Sequence, residues 1–189
     1  PAVGPGPEPR DRSLDDDQLK AIAKNGGVVQ IVALGSYLKA ESPDRAEATR
    51  KLREELGMPA GGRGRQGGPP AQPLTPEQQA DAQKRRAAYM ERMREIDAKY
   101  PSATLTDFVN HLDHVVKVAG IDHVGIGTDF DGGGGFTGFN DHSEAANVTE
   151  ELVRRGYSEP DIAKIWGGNL MRVWREVQAV AAREPQAGR

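Results

Sequence analysis

Asp129 and Asp131 end a short apolar run. Residues 121–135 read Ile-Asp-His-Val-Gly-Ile-Gly-Thr-Asp-Phe-Asp-Gly-Gly-Gly-Gly. A carboxylate at the end of a strand can orient a water, accept a proton, or hold a cation or an amine. Barrel and open α/β folds place their chemistry at that end of a strand. Acids in such positions also cap loops through their side-chain oxygens. If the strand persists through Phe130, the two acids point to opposite faces. The glycines Gly132–Gly135 allow a backbone to approach a ligand closely. The lack of a Gly-x-x-x-x-Gly-Lys-Ser/Thr pattern argues against a phosphate cradle. The motif Asp-x-Asp-Gly is too short for a calcium loop.

Other candidates are weaker on spacing. His111 and His114 are three apart on an amphipathic segment, where they could share an ion or simply flank a helix. His123 lies within the apolar run and His142 in the loop beyond it, neither with a second ligand at a metal-binding spacing. Arg10 and Arg12 precede a helix, where a guanidinium can hold a carboxylate bidentately or remain solvated. No Gly-x-Ser-x-Gly or His-Glu-x-x-His pattern is present. The absence of Cys removes disulfides and thiolate metal sites. A net charge of -3 gives no nucleic-acid footprint. No apolar run approaches the ~20 residues of a membrane span.

Several elements must position these residues. Ser13, followed by Asp15, Asp16 and Asp17, predicts a helix start, since acids suit the positive end of the helix dipole. Leu19, Ile22 and Ala23 supply its apolar stripe, and Asn25-Gly26 its stop. Gly27–Leu34 reads as a strand, with the near-continuous apolar run of a parallel sheet. Ser42-Pro43 opens a helix to Leu56, stopped at Gly57. Residues 59–73 are rich in Gly, Pro, Gln and Arg and read as flexible. Thr75-Pro76 starts a long polar helix to about Lys99. Thr104 caps the next helix, whose wide stripe runs from Leu105 to Ala119 before Gly120. Asn147–Arg155 and the segment from Ser158 predict helices, with a pause at Gly167-Gly168. Residues from Asn169 resume as a helix to about Ala182, and the tail 184–189 reads as frayed. Alternation of helices with apolar strands argues for α/β with parallel strands. Only two strands are evident, and two strands cannot shelter each other's faces. Each apolar side chain left wet forgoes roughly 1.5–3 kcal/mol of burial.

A resemblance adds to this reading. His111-Leu-Asp-His114, Val118-Ala-Gly120 and Val124-Gly-Ile-Gly-Thr-Asp-Phe-Asp-Gly132 resemble the C-terminal part of the membrane (renal) dipeptidase family, peptidase family M19. Gly167-Gly-Asn-Leu-Met-Arg-Val173 resembles the family's last-helix motif. The Gly-rich loop with Phe139-Asn-Asp141 and Ser143-Glu, and the long insert before the last strand, are similar to its bacterial branch.

The resemblance implies a (β/α)8 barrel hydrolysing dipeptides with two zinc ions, which polarise the peptide carbonyl for a bridging hydroxide. Asp129 matches the carboxylate beside that hydroxide, with the added task of passing a proton to the leaving amine. Arg12, or Arg10 as the fallback, matches the arginine that holds the substrate's terminal carboxylate, and Tyr37 matches a substrate-pocket tyrosine. The family's zinc ligands, a His-x-Asp after the first strand, a bridging Glu at a strand end and two later His, are not matched at those places; the one His-x-Asp in this sequence, His111-Leu-Asp113, lies on the amphipathic segment 105–119. The expectation is therefore that residues 1–189 are the C-terminal portion of one such barrel, with a helical insert over 43–100 and no metal ligands of their own. On that expectation the chain is inactive alone and requires a missing N-terminal barrel part or a homo-oligomer partner. The opening Pro-Ala-Val-Gly-Pro-Gly-Pro-Glu-Pro, with the first Met at Met58, reads as an internal loop of a longer chain. Localisation is open between bacterial cytoplasm and periplasm. The alternative is a degenerate, barrel-derived subunit that binds without catalysis.

Overall fold

Local capping explains most of the helices in the computed structural model, which describes residues 13–58 and 75–183. Helix α1 (Asp16–Lys24) is capped by Asp15, not Ser13. The Asp15 carboxylate accepts from Gln18 N–H while the Gln18 side chain bonds back to Asp15 N–H, a reciprocal capping box. Strand β1 (Val29–Val32) is shorter than the apolar run that announced it. It leads straight into the single turn α2 (Gly35–Leu38). Helix α5 (Leu105–Ala119) is capped by Thr104 and Asp107 in the same reciprocal way and ends at Gly120, whose φ of 94° suits glycine. Residues Ile121–His123 form a tight 3-10 turn, and β2 (Val124–Gly127) follows. Helices α6 (Ala145–Arg154), α7 (Glu159–Ala163) and α8 (Asn169–Arg183) complete this part, with a π turn at Lys164–Gly168 between the last two.

Strands β1 and β2 pair in parallel, Val29 opposite Val124 and Val32 opposite Gly127. One face carries Val29, Ile31, Val124 and Ile126; α5 covers it with Phe108, Val109, Leu112 and Val115, all buried. The other face carries Gln30, Val32, Gly125 and Gly127. The Gln30 amide lies flat over Gly125, so close that a Cβ there would sit 2.6 Å from it.

The expected (β/α)8 barrel, whole or in part, is corrected by this arrangement. The described residues are mostly helical, and their one sheet is two-stranded and unclosed. A barrel closes only when tilted strands run round a full circle with consistent stagger. Here the apolar patterning between and beyond β1 and β2 has helical periodicity and builds helices instead.

The chain divides into two compact units, one formed by residues 1–40 and 103–189, the other by Glu41–Ser102. In the second, α3 (Pro43–Glu55) starts at Ser42-Pro43 and α4 (Pro76–Lys99) at Thr75-Pro76. The two helices are joined by polar contacts: Arg45 to Asp97 at 2.7 Å, Arg92 to Glu55 at 2.5 Å, and the Arg53 guanidinium over the Tyr89 ring. Residues 59–73, read as flexible, lie outside the described residues, as do 184–189.

Helices α5 and α6 are locked by one guanidinium. Arg155 donates to Glu151 at 2.7 Å, Asp113 at 2.5 Å, Asn110 at 2.8 Å and the Thr106 carbonyl at 3.1 Å. Tyr157 donates to the other Asp113 oxygen at 2.6 Å. Hydrogen bonds from Arg154 and then Arg155 hold the Glu151 carboxyl at about 2, against an ordinary value of 4.5. Folding therefore depresses this pKa. The stability it contributes is present above pH ~4.5 and is lost as pH falls toward about 2. The thermal midpoint should drop through that window, and the drop should flatten in Glu151→Gln, measured by circular dichroism from pH 6 to pH 2.

Candidate active site

Gly127 ends β2, and the chain then turns instead of continuing the pleat. Asp129 takes a left-handed backbone, φ 54°, and is the one non-glycine residue with positive φ among those described. Asp tolerates this conformation better than most residues, at a cost of about 1–2 kcal/mol. The turn holds because the Asp129 carbonyl accepts from Gly132 N–H at 2.9 Å and Gly134 N–H at 2.7 Å. The strand does not persist through Phe130, so the alternation expected to send Asp129 and Asp131 to opposite faces does not apply. Both side chains are exposed.

Beyond the turn, the loop returns to the sheet. Gly127 accepts from Ala33 N–H at 2.8 Å, and Gly135 N–H donates to the Ala33 carbonyl at 2.5 Å. Leu34 and Gly135 form a parallel bridge that extends the pairing past both strands. Phe136 and Phe139 exchange two backbone hydrogen bonds, and both rings are buried against Phe108. Phe130 packs edge-on against Phe139 on one side and His142 on the other, with centroids 5.2 Å apart in each case. The loop that carries Asp129 is therefore anchored by aromatic side chains.

Tyr37 lies on α2, at the same end of the parallel sheet, because β1 and β2 share a direction. Its N–H donates to the Leu34 carbonyl at 2.8 Å, and its side chain is half-buried. The structure thus brings Tyr37 and Asp129 to one end of the sheet. Arg12 and Arg10 lie outside the described residues. Further acids line the same loop. Asp141 accepts from the Ser143 hydroxyl at 2.6 Å and from its N–H at 2.7 Å, and these bonds hold its carboxyl below the usual range. Glu144 accepts from Asn140 N–H at 2.6 Å.

The histidines have separate partners. His111 Nε2 reaches the Leu38 carbonyl at 2.9 Å, His114 Nε2 the Asp16 carboxylate at 2.7 Å, and His123 Nδ1 the Gly27 carbonyl at 2.7 Å. His111 and His114 thus join α5 to two different elements. Among the described residues, no group of three or more His, Cys, Asp or Glu could hold a metal ion. The donors among the described residues do not fit a two-zinc centre.

Sequence reasoning saw the motif at Gly167-Gly-Asn169 but not its task. Asn169 is buried, and its Nδ2 donates to the Ile121 carbonyl at 2.7 Å and the Val124 carbonyl at 2.8 Å. It fastens the start of α8 to the start of β2. Arg172, one turn on, donates to the Gly26 and Asp122 carbonyls.

The pattern of the membrane dipeptidase family, peptidase family M19, matches residues 7–188. The chain belongs to this family. A crystal structure of the probable dipeptidase PvdM from Pseudomonas aeruginosa is similar at 38% identity and a TM-score of 0.61, covering 90% of this chain and 42% of that one. Dipeptidase tcpJ of Claviceps purpurea is 42% identical over 83 residues, 43% of this chain and 20% of its own length. Dipeptidase 3 of Rattus norvegicus is 39% identical over 87 residues, 46% of this chain and 17% of its own. The chain spans a fifth or less of the length of these two M19 relatives.

Two expectations are corrected. The M19 match extends over residues 7–188, nearly the whole chain, where the expectation rested the resemblance on a C-terminal part only. The expected need for a missing N-terminal barrel part is corrected by the fold, since the described residues form a two-stranded, unclosed sheet and no part of a barrel. Physically, the apolar face of the sheet is already covered from within the chain by α5. No helix among the described residues is long and apolar enough to cross a membrane.

Replacing Asn169 should expose what the M19 last-helix motif does here. Asn169→Leu keeps the volume but leaves two carbonyls without their donor, which should cost about 1–3 kcal/mol. Urea unfolding would measure this. A variant as stable as the parent would show that the motif is not a structural fastener.

Proposed function

We propose that this M19 chain acts on dipeptides at the sheet end carrying Asp129 and Tyr37. The observation that carries the reading is Asp129 itself. It is an exposed carboxylate held in a left-handed turn by two backbone hydrogen bonds, directly after a strand. Strained conformations of this kind persist where the surroundings over-determine them, and they concentrate at functional sites. Family membership supports the substrate class.

In this reading Asp129 takes up the amine end of the reaction. Its carboxylate takes a proton from the attacking water as that water's oxygen bonds to the peptide carbonyl carbon, and delivers this proton to the substrate nitrogen as the peptide C–N bond breaks. A positioned acid or base of this kind is worth about 10²–10⁴-fold in rate. Arg12 pairs with the terminal carboxylate of the dipeptide through two parallel hydrogen bonds. Tyr37 lines the pocket and offers a hydroxyl. Positioning, more than bond chemistry, is the contribution of these two. Helices α3 and α4, which lie within the proposed insert, supply none of these groups. Zinc is the ion that the resemblance implies, and the described residues do not fit it, so no step is derived through it.

That misfit favours a second reading, in which the same end of the sheet binds dipeptides without turnover. Titration of Ala-Ala into the 15N-labelled chain should shift the amide signals of Gly127–Gly135 and Tyr37. Arg12→Ala should weaken binding about 10–100-fold, the worth of a charge-assisted pair. Asp129→Asn should lower hydrolysis about 10²-fold while leaving binding nearly intact. Binding without hydrolysis in the presence of Zn²⁺ selects the second reading. A loop that does not respond to the dipeptide contradicts both.

A further inference from the structure

Gly132 is a glycine for a reason its own backbone does not supply. Gly133 and Gly135 have φ of 99° and 114°, where side chains are strained, but Gly132 does not take a positive φ. An ordinary residue could adopt its backbone conformation. What forbids one is space. A Cβ on Gly132 would lie 2.8 Å from Asp129 Cγ and 3.1 Å from Oδ2, with Oδ1 nearer still. The three nearest atoms all belong to one carboxyl group, which therefore rests against the bare α-carbon of Gly132.

Gly134 differs in what it protects. A Cβ there would meet the Thr128 carbonyl oxygen, and the Asp129 carbonyl oxygen at 2.7 Å and carbon at 2.8 Å. Those are backbone atoms, and they cannot move without undoing the turn. The obstacle at Gly132 is a side chain with exposed surroundings, free to swing into another rotamer. The two glycines thus separate cleanly. Gly134 protects the turn, and Gly132 protects only the direction of the carboxylate.

We propose that Gly132 is a positioning residue: its bare α-carbon is the seat that fixes the Asp129 carboxylate toward the substrate nitrogen. The inference rests on the reading of Asp129 as the reacting carboxylate. A methyl group at 132 displaces the carboxylate by about the width of an atom while the fold stays closed. Misplacement on the order of 1 Å costs roughly 10²-fold in rate.

The test uses the full chain and three variants. Gly132→Ala should melt close to the parent. Its Asp129 side-chain carboxyl resonance, read by 13C NMR, should shift in position. Dipeptide kcat should fall about 10²-fold with KM little changed. Gly134→Ala should instead melt well below the parent. In an Asp129→Gly background, which suits the left-handed backbone and removes the carboxyl, Gly132→Ala should have no further effect on melting or rate. An unaltered Asp129 resonance in Gly132→Ala overturns the proposal, as does an equal loss in the Asp129→Gly background. If Gly132→Ala fails to fold, recovery of folding in the double variant supports the seat, and no recovery overturns it. If the parent hydrolyses no dipeptide, the functional reading fails, while the carboxyl resonance still decides whether Gly132 seats Asp129.

Discussion

The hydrogen bond from Gly135 N–H to the Ala33 carbonyl closes the loop on which the candidate site depends. Without it, the segment after β2 would be a long exposed excursion, costly in conformational entropy. With it, the loop is a short extension of the parallel sheet, and both of its ends are fixed to β1 and β2. Three phenylalanines then weight it down into the core. Asp129 sits inside this closed circuit, so its unusual backbone is imposed by its neighbours and not by its own preference.

The glycines around it divide the labour. Some supply left-handed backbone, as Gly133 and Gly135 do. Others supply room, as Gly125 does for the Gln30 amide and Gly132 for the Asp129 carboxylate. Charge follows the same economy. The loop is rich in acids, but Asp141 and Glu144 are tied by local hydrogen bonds to Ser143 and Asn140. In the proposed reading, the partner of this exposed carboxylate is the peptide nitrogen that becomes the leaving amine.

Much of the helical framework was legible in the sequence because caps are local signals. Ser42-Pro43, Thr75-Pro76, Thr104, Ser158, Gly120 and Gly156 mark boundaries where the structure has them. Ser13 misled, because Asp15 with Gln18 makes the stronger reciprocal cap. The second strand starts at Val124 and not Ile121, since Gly120 launches a tight turn that apolar content alone does not reveal. The barrel came from the resemblance and not from periodicity, and the periodicity, which showed two strands, was the better guide. Asp129 was singled out by its position at a strand end. Its left-handed backbone was not legible, because it is set by donors three and five residues on. Asn169 was visible as a motif, but its two carbonyl partners lie far back in the chain and only folding brings them together.

The central claim is that Asp129 is the carboxylate that meets the substrate nitrogen. A crystal structure of the Asp129→Asn chain with a dipeptide bound tests it most directly. The account predicts a dipeptide nitrogen within about 3.2 Å of the residue 129 side chain, a hydrogen-bonding distance for proton transfer. A dipeptide bound in order elsewhere, with residue 129 turned away into solvent, would contradict it.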